Sequence, residues 1–128
     1  MSQEILLVDD DADDRALFCM AAKEAGIGYP IRAACGGEEA VDLLLKQRIA
    51  PVVTILDIKM PGIDGLEVLR RLRADPLYRN VVVVVLTGSD LESDRIEALR
   101  IGCNLFLTKP ASLAGYIEMA QRIKALLP

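Results

Sequence analysis

Two unbroken β-branched runs, "VVTIL" at 52–56 and "VVVVVL" at 81–86, constrain this chain more than any other feature. A strand with one wet face alternates apolar and polar residues. These runs do not alternate, so both of their faces need cover, as in a parallel sheet. Similar short runs occur at Ile5–Val8 and Leu105–Leu107, with a weaker one near Ile31–Ala34. Helical spacing fills the intervals. Leu113, Ile117, Ala120 and Ile123 fall on one face, as do Leu66, Leu69 and Leu72. Ala40 stacks with Leu44, and Val41 with Leu45. Asp64-Gly65-Leu66-Glu67 and Ser89-Asp90-Leu91-Glu92 read as capping boxes, and Ser112 as a third cap. Gly26 and Gly102 stand where helices should stop. Five β–α units follow one another without linker, repeat or low-complexity segment. This predicts an α/β doubly wound domain spanning residues 1–128, with a parallel sheet and helices on both faces.

The totals narrow the function. The chain has 128 residues, 52% apolar and 27% charged, which suits one globular domain with a real core. The formal charge of −4 argues against direct nucleic-acid binding and against an anionic membrane surface. Arg70, Arg71 and Arg73 read as a solvated helix face. No apolar run approaches the ~20 residues that span a bilayer, and the N-terminus lacks a signal pattern. Cys19, Cys35 and Cys103 lack metal-type spacing. They read as small buried hydrophobes in a reducing, cytoplasmic compartment. The chain has no histidine, which removes Ser-His-Asp and Cys-His catalysis and histidine metal sites.

In a parallel sheet of this kind, sites form at the carboxyl ends of the strands, beside the topological switch point. The first strand ends in "ILLVDDDADDR", with five aspartates in six positions from Asp9 to Asp14. The third ends in Asp57, the fourth in Thr87 and the fifth in Lys109, followed by Pro110. Three carboxylates, a hydroxyl and an ammonium therefore converge on one sheet edge. A hard divalent cation, Mg²⁺ or Mn²⁺, is a natural organiser for Asp9, Asp10 and Asp57. Thr87 and Lys109 can meet anionic oxygens. These are the parts that phosphoryl transfer needs, with Asp57 as the nucleophile.

The segments "LLVDDD", "LDIKMPGIDG", "LTGS" and "FLTKP", in this order, closely resemble the receiver domain of two-component response regulators. The resemblance covers essentially the whole chain. It implies a flavodoxin-like (βα)5 fold with strand order 2-1-3-4-5, an order the general rule for such sheets illustrates with members of this family. It implies that Asp57 accepts a phosphoryl group from a phosphohistidine on a sensor histidine kinase or a histidine phosphotransfer protein. Asp10, Asp57 and the Lys59 backbone carbonyl would then bind Mg²⁺, with Asp9 acting through water. Lys109, Thr87 and the Gly88 amide would contact the phosphoryl oxygens. Thr87 and Phe106 would act as the switch, biasing the face built from the fourth helix, fifth strand and fifth helix toward a downstream partner or a homodimer. The resemblance also implies a Lys109–Pro110 bond that is often cis. Gly88 stands where alanine is more frequent, and Lys59 and Ser89 where members vary and tune the acyl phosphate's lifetime.

Each residue also has an ordinary reading. Asp57 could be a turn former before Met60-Pro61-Gly62, Thr87 a strand-end residue, Lys109 a solvated lysine and Phe106 plain core. Asp11, Asp13 and Asp14 suit the positive end of the first helix and solvent. Tyr78 and Tyr116 read as surface or packing residues. Two other functions compete with the phosphoacceptor. An aspartyl-phosphate hydrolase would need a second aspartate two residues after the nucleophile, where Lys59 stands. A pseudo-receiver acting only as an interaction module would need a broken acceptor site. Whether such a domain works alone or opens a longer protein stays open, as do its kinase and its output. The expectation is an acceptor, not a turnover enzyme.

Overall fold

The computed structural model describes residues 3–128. The five apolar runs form strands β1 (Ile5–Val8), β2 (Ile31–Ala34), β3 (Val53–Leu56), β4 (Val83–Thr87) and β5 (Leu105–Thr108). All pairings are parallel and the order is β2-β1-β3-β4-β5. The helices are α1 (Ala12–Glu24), α2 (Gly37–Val41), α3 (Gly65–Ala74), α4 (Glu92–Ile101) and α5 (Leu113–Lys124). The flavodoxin-like expectation holds, strand by strand.

Side chains alternate across the pleat, so every central strand feeds two cores. Ile5, Leu7, Ile55, Val84 and Leu86 pack against Phe18 and Ala21 of α1 and Met119 and Ile123 of α5. Leu6, Val8, Leu56, Val83 and Val85 pack against Leu44, Leu69, Leu72 and Ala98 on the other side. β1, β3 and β4 are buried throughout. β2, whose run was the weakest in the sequence, is an edge strand exposed at Arg32 and Ala33.

The caps are largely as the sequence predicts. Asp64 accepts from the Glu67 amide at 2.9 Å and Ser112 from the Gly115 amide at 3.1 Å. Gly102, at φ +123°, ends α4. Ser89 is a correction: α4 starts later, with Leu91 at the cap position, and the Ser89 hydroxyl is engaged by Asp94 instead. The predicted helix around Ala40 to Leu45 is also not uniform. α2 widens into a π-helical turn at Asp42–Lys46. Tyr78 packs beneath it, its hydroxyl 2.6 Å from the Leu44 and Ile49 carbonyls.

Three further expectations are corrected. Cys19 and Cys35 are exposed, and only Cys103 is buried. Cys19 follows Phe18 on α1, and one helical step turns it away from the core. Arg73 does not belong to a solvated face. Its guanidinium donates to the Gly102 and Tyr78 carbonyls and to Asn104, which ties α3 to the start of β5. The Lys109–Pro110 bond is trans, as is every other peptide bond among the described residues.

Thr54, in the middle of β3, is fully buried, and its hydroxyl has no hydrogen-bond partner among the described residues. Replacing a buried, unpaired hydroxyl with a methyl of the same shape removes a desolvation cost. Thr54→Val should raise stability by about 1 kcal/mol, read as a higher denaturant midpoint with unchanged slope. A lower midpoint would show that the hydroxyl is satisfied.

Candidate functional site

Register builds the site before any side chain does. Val8 of β1 is the partner of both Ala34 and Leu56, so β1 and β3 end level with each other. The next residues, Asp9 and Asp57, emerge side by side at the switch point. Their amides continue the ladder, Asp9 to the Ala34 carbonyl at 3.1 Å and Asp57 to the Val8 carbonyl at 3.0 Å. Thr87 and Thr108 are partners at the ends of β4 and β5, which places Lys109 next in line; its amide donates to the Thr87 carbonyl at 2.8 Å.

A close backbone approach fixes Asp57 from behind. A Cβ at Gly65 would lie 1.9 Å from the Asp57 carbonyl oxygen, so only glycine lets α3 start there. The Gly65 amide donates to the Ile58 carbonyl at 3.0 Å, which closes the loop against the helix.

The side chains meet above this frame. Carboxylate oxygens of Asp9, Asp10 and Asp57 lie within 4.8 Å of one another. Asp9 and Asp57 are buried, and Asp10 is exposed. A set of hard oxygen donors with one open side suits a divalent cation that keeps part of its water shell. Lys109 reaches back across β4 on its long stem. Its ammonium lies 2.9 Å from Asp9, 3.0 Å from Asp57 and 2.7 Å from Asp14. Thr87 is fully buried, and its hydroxyl accepts from the Ser89 amide at 3.2 Å. The Lys59 amide donates to Asp57 Oδ1 at 3.3 Å. Asp10, Asp14, Asp57, Lys59, Gly88 and Lys109 line one cleft of about 500 Å³. Phe106 stays outside it, half-buried against the core beneath α4.

The electrostatics follow from this crowding. Burial pushes the Asp9 carboxyl above the usual carboxylate range, although the Asp11 amide and Lys109 pull the other way. Burial alone would push Lys109 down. Hydrogen bonds to Asp14, Asp9 and Asp57 more than reverse this and hold the ammonium charged. Tyr116, buried beside Asp14, is pushed up to about 12 by burial and by that neighbouring charge.

Of the strand-end residues, the structure groups Asp9, Asp10 and Asp57 and brings Lys109 to Asp9 and Asp57. Lys59 and Gly88, which only the resemblance implies, line the same cleft, and Thr87 is buried with its hydroxyl on the Ser89 amide. The structure adds two residues that sequence reasoning missed. Asp14 read as a helix-start charge, but it makes the shortest of the Lys109 contacts. The cap of α1 is instead Asp11, which accepts from the Asp14 amide. Asp94, on the first turn of α4, takes Lys59 and Ser89. No short-range motif marks either residue, because each meets its partner across an element boundary.

Comparison with known proteins agrees with this geometry. The profile of the response regulator receiver domain matches residues 5–121. Response regulator PleD of Caulobacter vibrioides is 41% identical over 111 residues, which is 86% of this chain and 23% of that protein. Response regulator MprA of Mycobacterium bovis is 38% identical over 128 residues, 99% of this chain and 51% of its own length. The chain thus spans between about a quarter and about half of these relatives. Among solved structures, the Mn²⁺-bound form of response regulator Rcp1 superposes with a TM-score of 0.88 at 30% identity, covering 98% of this chain and 99% of that one. The phosphorylated cyanobacterial phytochrome response regulator RcpA superposes with a TM-score of 0.89 at 26% identity, covering 99% and 94%. This chain belongs to the family of response regulator receiver domains.

Proposed function

We propose that this chain is a phosphoacceptor of a two-component or phosphorelay system, and that Asp57 takes the phosphoryl group. The observation that carries this reading is the double membership of Asp57. Its carboxylate belongs to the cluster with Asp9 and Asp10, and it also lies 3.0 Å from the Lys109 ammonium. A phosphoryl group on Asp57 would enter a cleft already lined by Lys109 and the backbone of Gly88.

The donor is a phosphohistidine on a sensor histidine kinase or a histidine phosphotransfer protein. An Asp57 oxygen bonds to phosphorus, the donor's P–N bond breaks, and its electron pair stays on the imidazole nitrogen. Positioning and charge neutralisation account for most of the rate in such a transfer. Lys109 meets the developing charge on the phosphoryl oxygens, with Thr87 and the Gly88 amide as further donors. Asp10, Asp57 and the Lys59 carbonyl would hold Mg²⁺ or Mn²⁺, with Asp9 reaching it through water. When bound, the ion supplies positive charge beside the transferred group.

Thr87 also links the site to an output. Its hydroxyl, which accepts from the Ser89 amide, has its own proton to donate to a phosphoryl oxygen, with Phe106 adjusting behind it. The response is a shift between two packings. Leu91, Ile96 and Leu99 are exposed large apolar residues on and before α4. They support the face of α4, β5 and α5 as the surface offered to a downstream partner or a second copy. Among the described residues no helix is long and apolar enough to cross a membrane.

Three outcomes are expected. With Mg²⁺ and a small acyl-phosphate donor, intact mass should rise by one phosphoryl group in wild type and not in Asp57→Asn; no gain in wild type sinks the acceptor reading. Asp10→Ala should weaken Mg²⁺ binding at least tenfold, equivalent to about 1.4 kcal/mol, and an unchanged titration removes Asp10 from the ligand set. Lys109→Ala should destabilise the metal-free protein by about 3 kcal/mol near neutral pH, because buried carboxylates lose their counter-charge. The sign with pH follows from Asp9, whose folded pKa lies above its unfolded value. Its ionisation costs stability, fully so above the folded pKa, and protonation recovers it. Thermal melts of this variant should therefore approach wild type as the pH falls from neutral through the raised Asp9 pKa, above the ordinary aspartate range. A gap that stays constant would show that Lys109 acts by packing alone.

A further inference from the structure

Two loops close over the mouth of the cleft, one after β3 and one after β4, and a single side chain joins them. Asp94 Oδ2 lies 3.3 Å from the Lys59 ammonium and accepts from the Ser89 hydroxyl at 2.5 Å. Lys59 belongs to the loop that carries Asp57. Ser89 belongs to the loop that carries Thr87, and its amide donates to the Thr87 hydroxyl. Asp94 is only 14% exposed at its side chain, whereas Lys59 is 60% exposed. The bridge thus runs from a largely buried carboxylate on α4 to an exposed arm at the cleft rim. Asp94 stays ionised at ordinary pH, because the Ser89 hydroxyl and the Lys59 charge hold its carboxyl below the usual range.

The arm's position matters for an incoming anion. The Lys59 backbone already touches Asp57, at 3.3 Å from amide to Oδ1. Its side chain, however, pairs with Asp94 and with none of the carboxylates around Asp57. Lys109 is fully engaged by three carboxylates. The second ammonium at this cleft is therefore parked on α4.

We propose that Asp94 is a positioning residue for the phosphoryl site, holding Lys59 and Ser89 off the entering phosphoryl group. The proposal rests on the phosphoacceptor reading of Asp57. An exposed lysine pair is weak, and a phosphoryl group brings about two negative charges and three strong acceptors. The donor can thus draw Lys59 away from Asp94, and the strength of the bridge sets how readily it does so. Without Asp94, Lys59 is free to meet the donor at once.

The test is the initial rate of phosphoryl gain by intact mass, with Mg²⁺ and the same small acyl-phosphate donor. Four versions of this 128-residue chain form the cycle: wild type, Asp94→Asn, Lys59→Met and the double variant. Asp94→Asn should load roughly threefold to tenfold faster, the scale of one released charge-assisted contact. In the Lys59→Met background the same change should do little. A speed-up of equal size with and without Lys59 would overturn the proposal, because it would mean simple charge repulsion or a structural effect. An unchanged rate in Asp94→Asn would overturn it as well. If Asp94→Asn fails to fold, Asp94→Ala and Asp94→Ser, which also remove the carboxylate that holds Lys59, take its place in the cycle with the same outcomes expected. Loading of wild type, with no dependence on residue 94, would sink this inference and leave the acceptor reading intact. Failure of wild type to load at all would sink both.

Discussion

The site depends on one ammonium placed among carboxylates that repel one another. Asp9, Asp14 and Asp57 all pair with Lys109, and Asp10 stands beside them. Four carboxylates against one ammonium leave an excess of three negative charges. The cost falls most on Asp9, whose carboxyl is raised chiefly by burial, with the neighbouring Asp57 charge adding a smaller push. The excess survives because the frame beneath does not depend on it. Two apolar cores, one on each face of the sheet, hold β1 and β3 in register whatever the charges above them do. Stability is concentrated in the sheet, and tension is concentrated at its edge.

That separation explains what could be read from the sequence. Parallel strands ending level with one another convert linear positions into spatial neighbours. Asp9, Asp57, Thr87 and Lys109 were therefore legible as one site from strand ends alone. Asp14 was not. Its contact depends on the first turn of α1 facing the stem of Lys109, a relation between a helix and a strand that no local pattern encodes. Asp94 was hidden for a second reason. Ser89-Asp90-Leu91-Glu92 satisfies the local rule for a helix start, yet Ser89 lends its hydroxyl to Asp94 and the helix begins later. Arg73 and Cys19 erred in opposite directions. Residue type suggested an exposed arginine and a buried cysteine, whereas helix phase and three nearby acceptors decided otherwise.

The polar groups of the cleft differ sharply in how firmly they are held. Thr87 is fully buried, and Lys109 has three charged partners. Lys59 is mostly in solvent and holds one weak pair. On the proposed phosphoacceptor reading, the rigid groups define where a phosphoryl group would sit, and the loosely held ones how readily it would arrive. A single site can therefore keep its chemistry while the surrounding rim changes its kinetics.

The excess negative charge then has a function of its own. A cleft whose carboxylates were balanced one for one would gain little from an added cation and respond little to its loss. With three charges uncompensated, each positive group that enters is strongly favoured, and each anionic group must bring or recruit a countercharge. The second requirement makes the parked Lys59 consequential, since the fixed ammonium of Lys109 is already committed three times over. The same imbalance limits how far the rim can drift. A rim with no cation within reach would leave Lys109, already shared among three carboxylates, as the sole side-chain cation lining the cleft among the described residues. The ion pair on α4 keeps a reserve charge at the mouth without letting it collapse onto Asp57 and cancel the field that makes the cleft responsive.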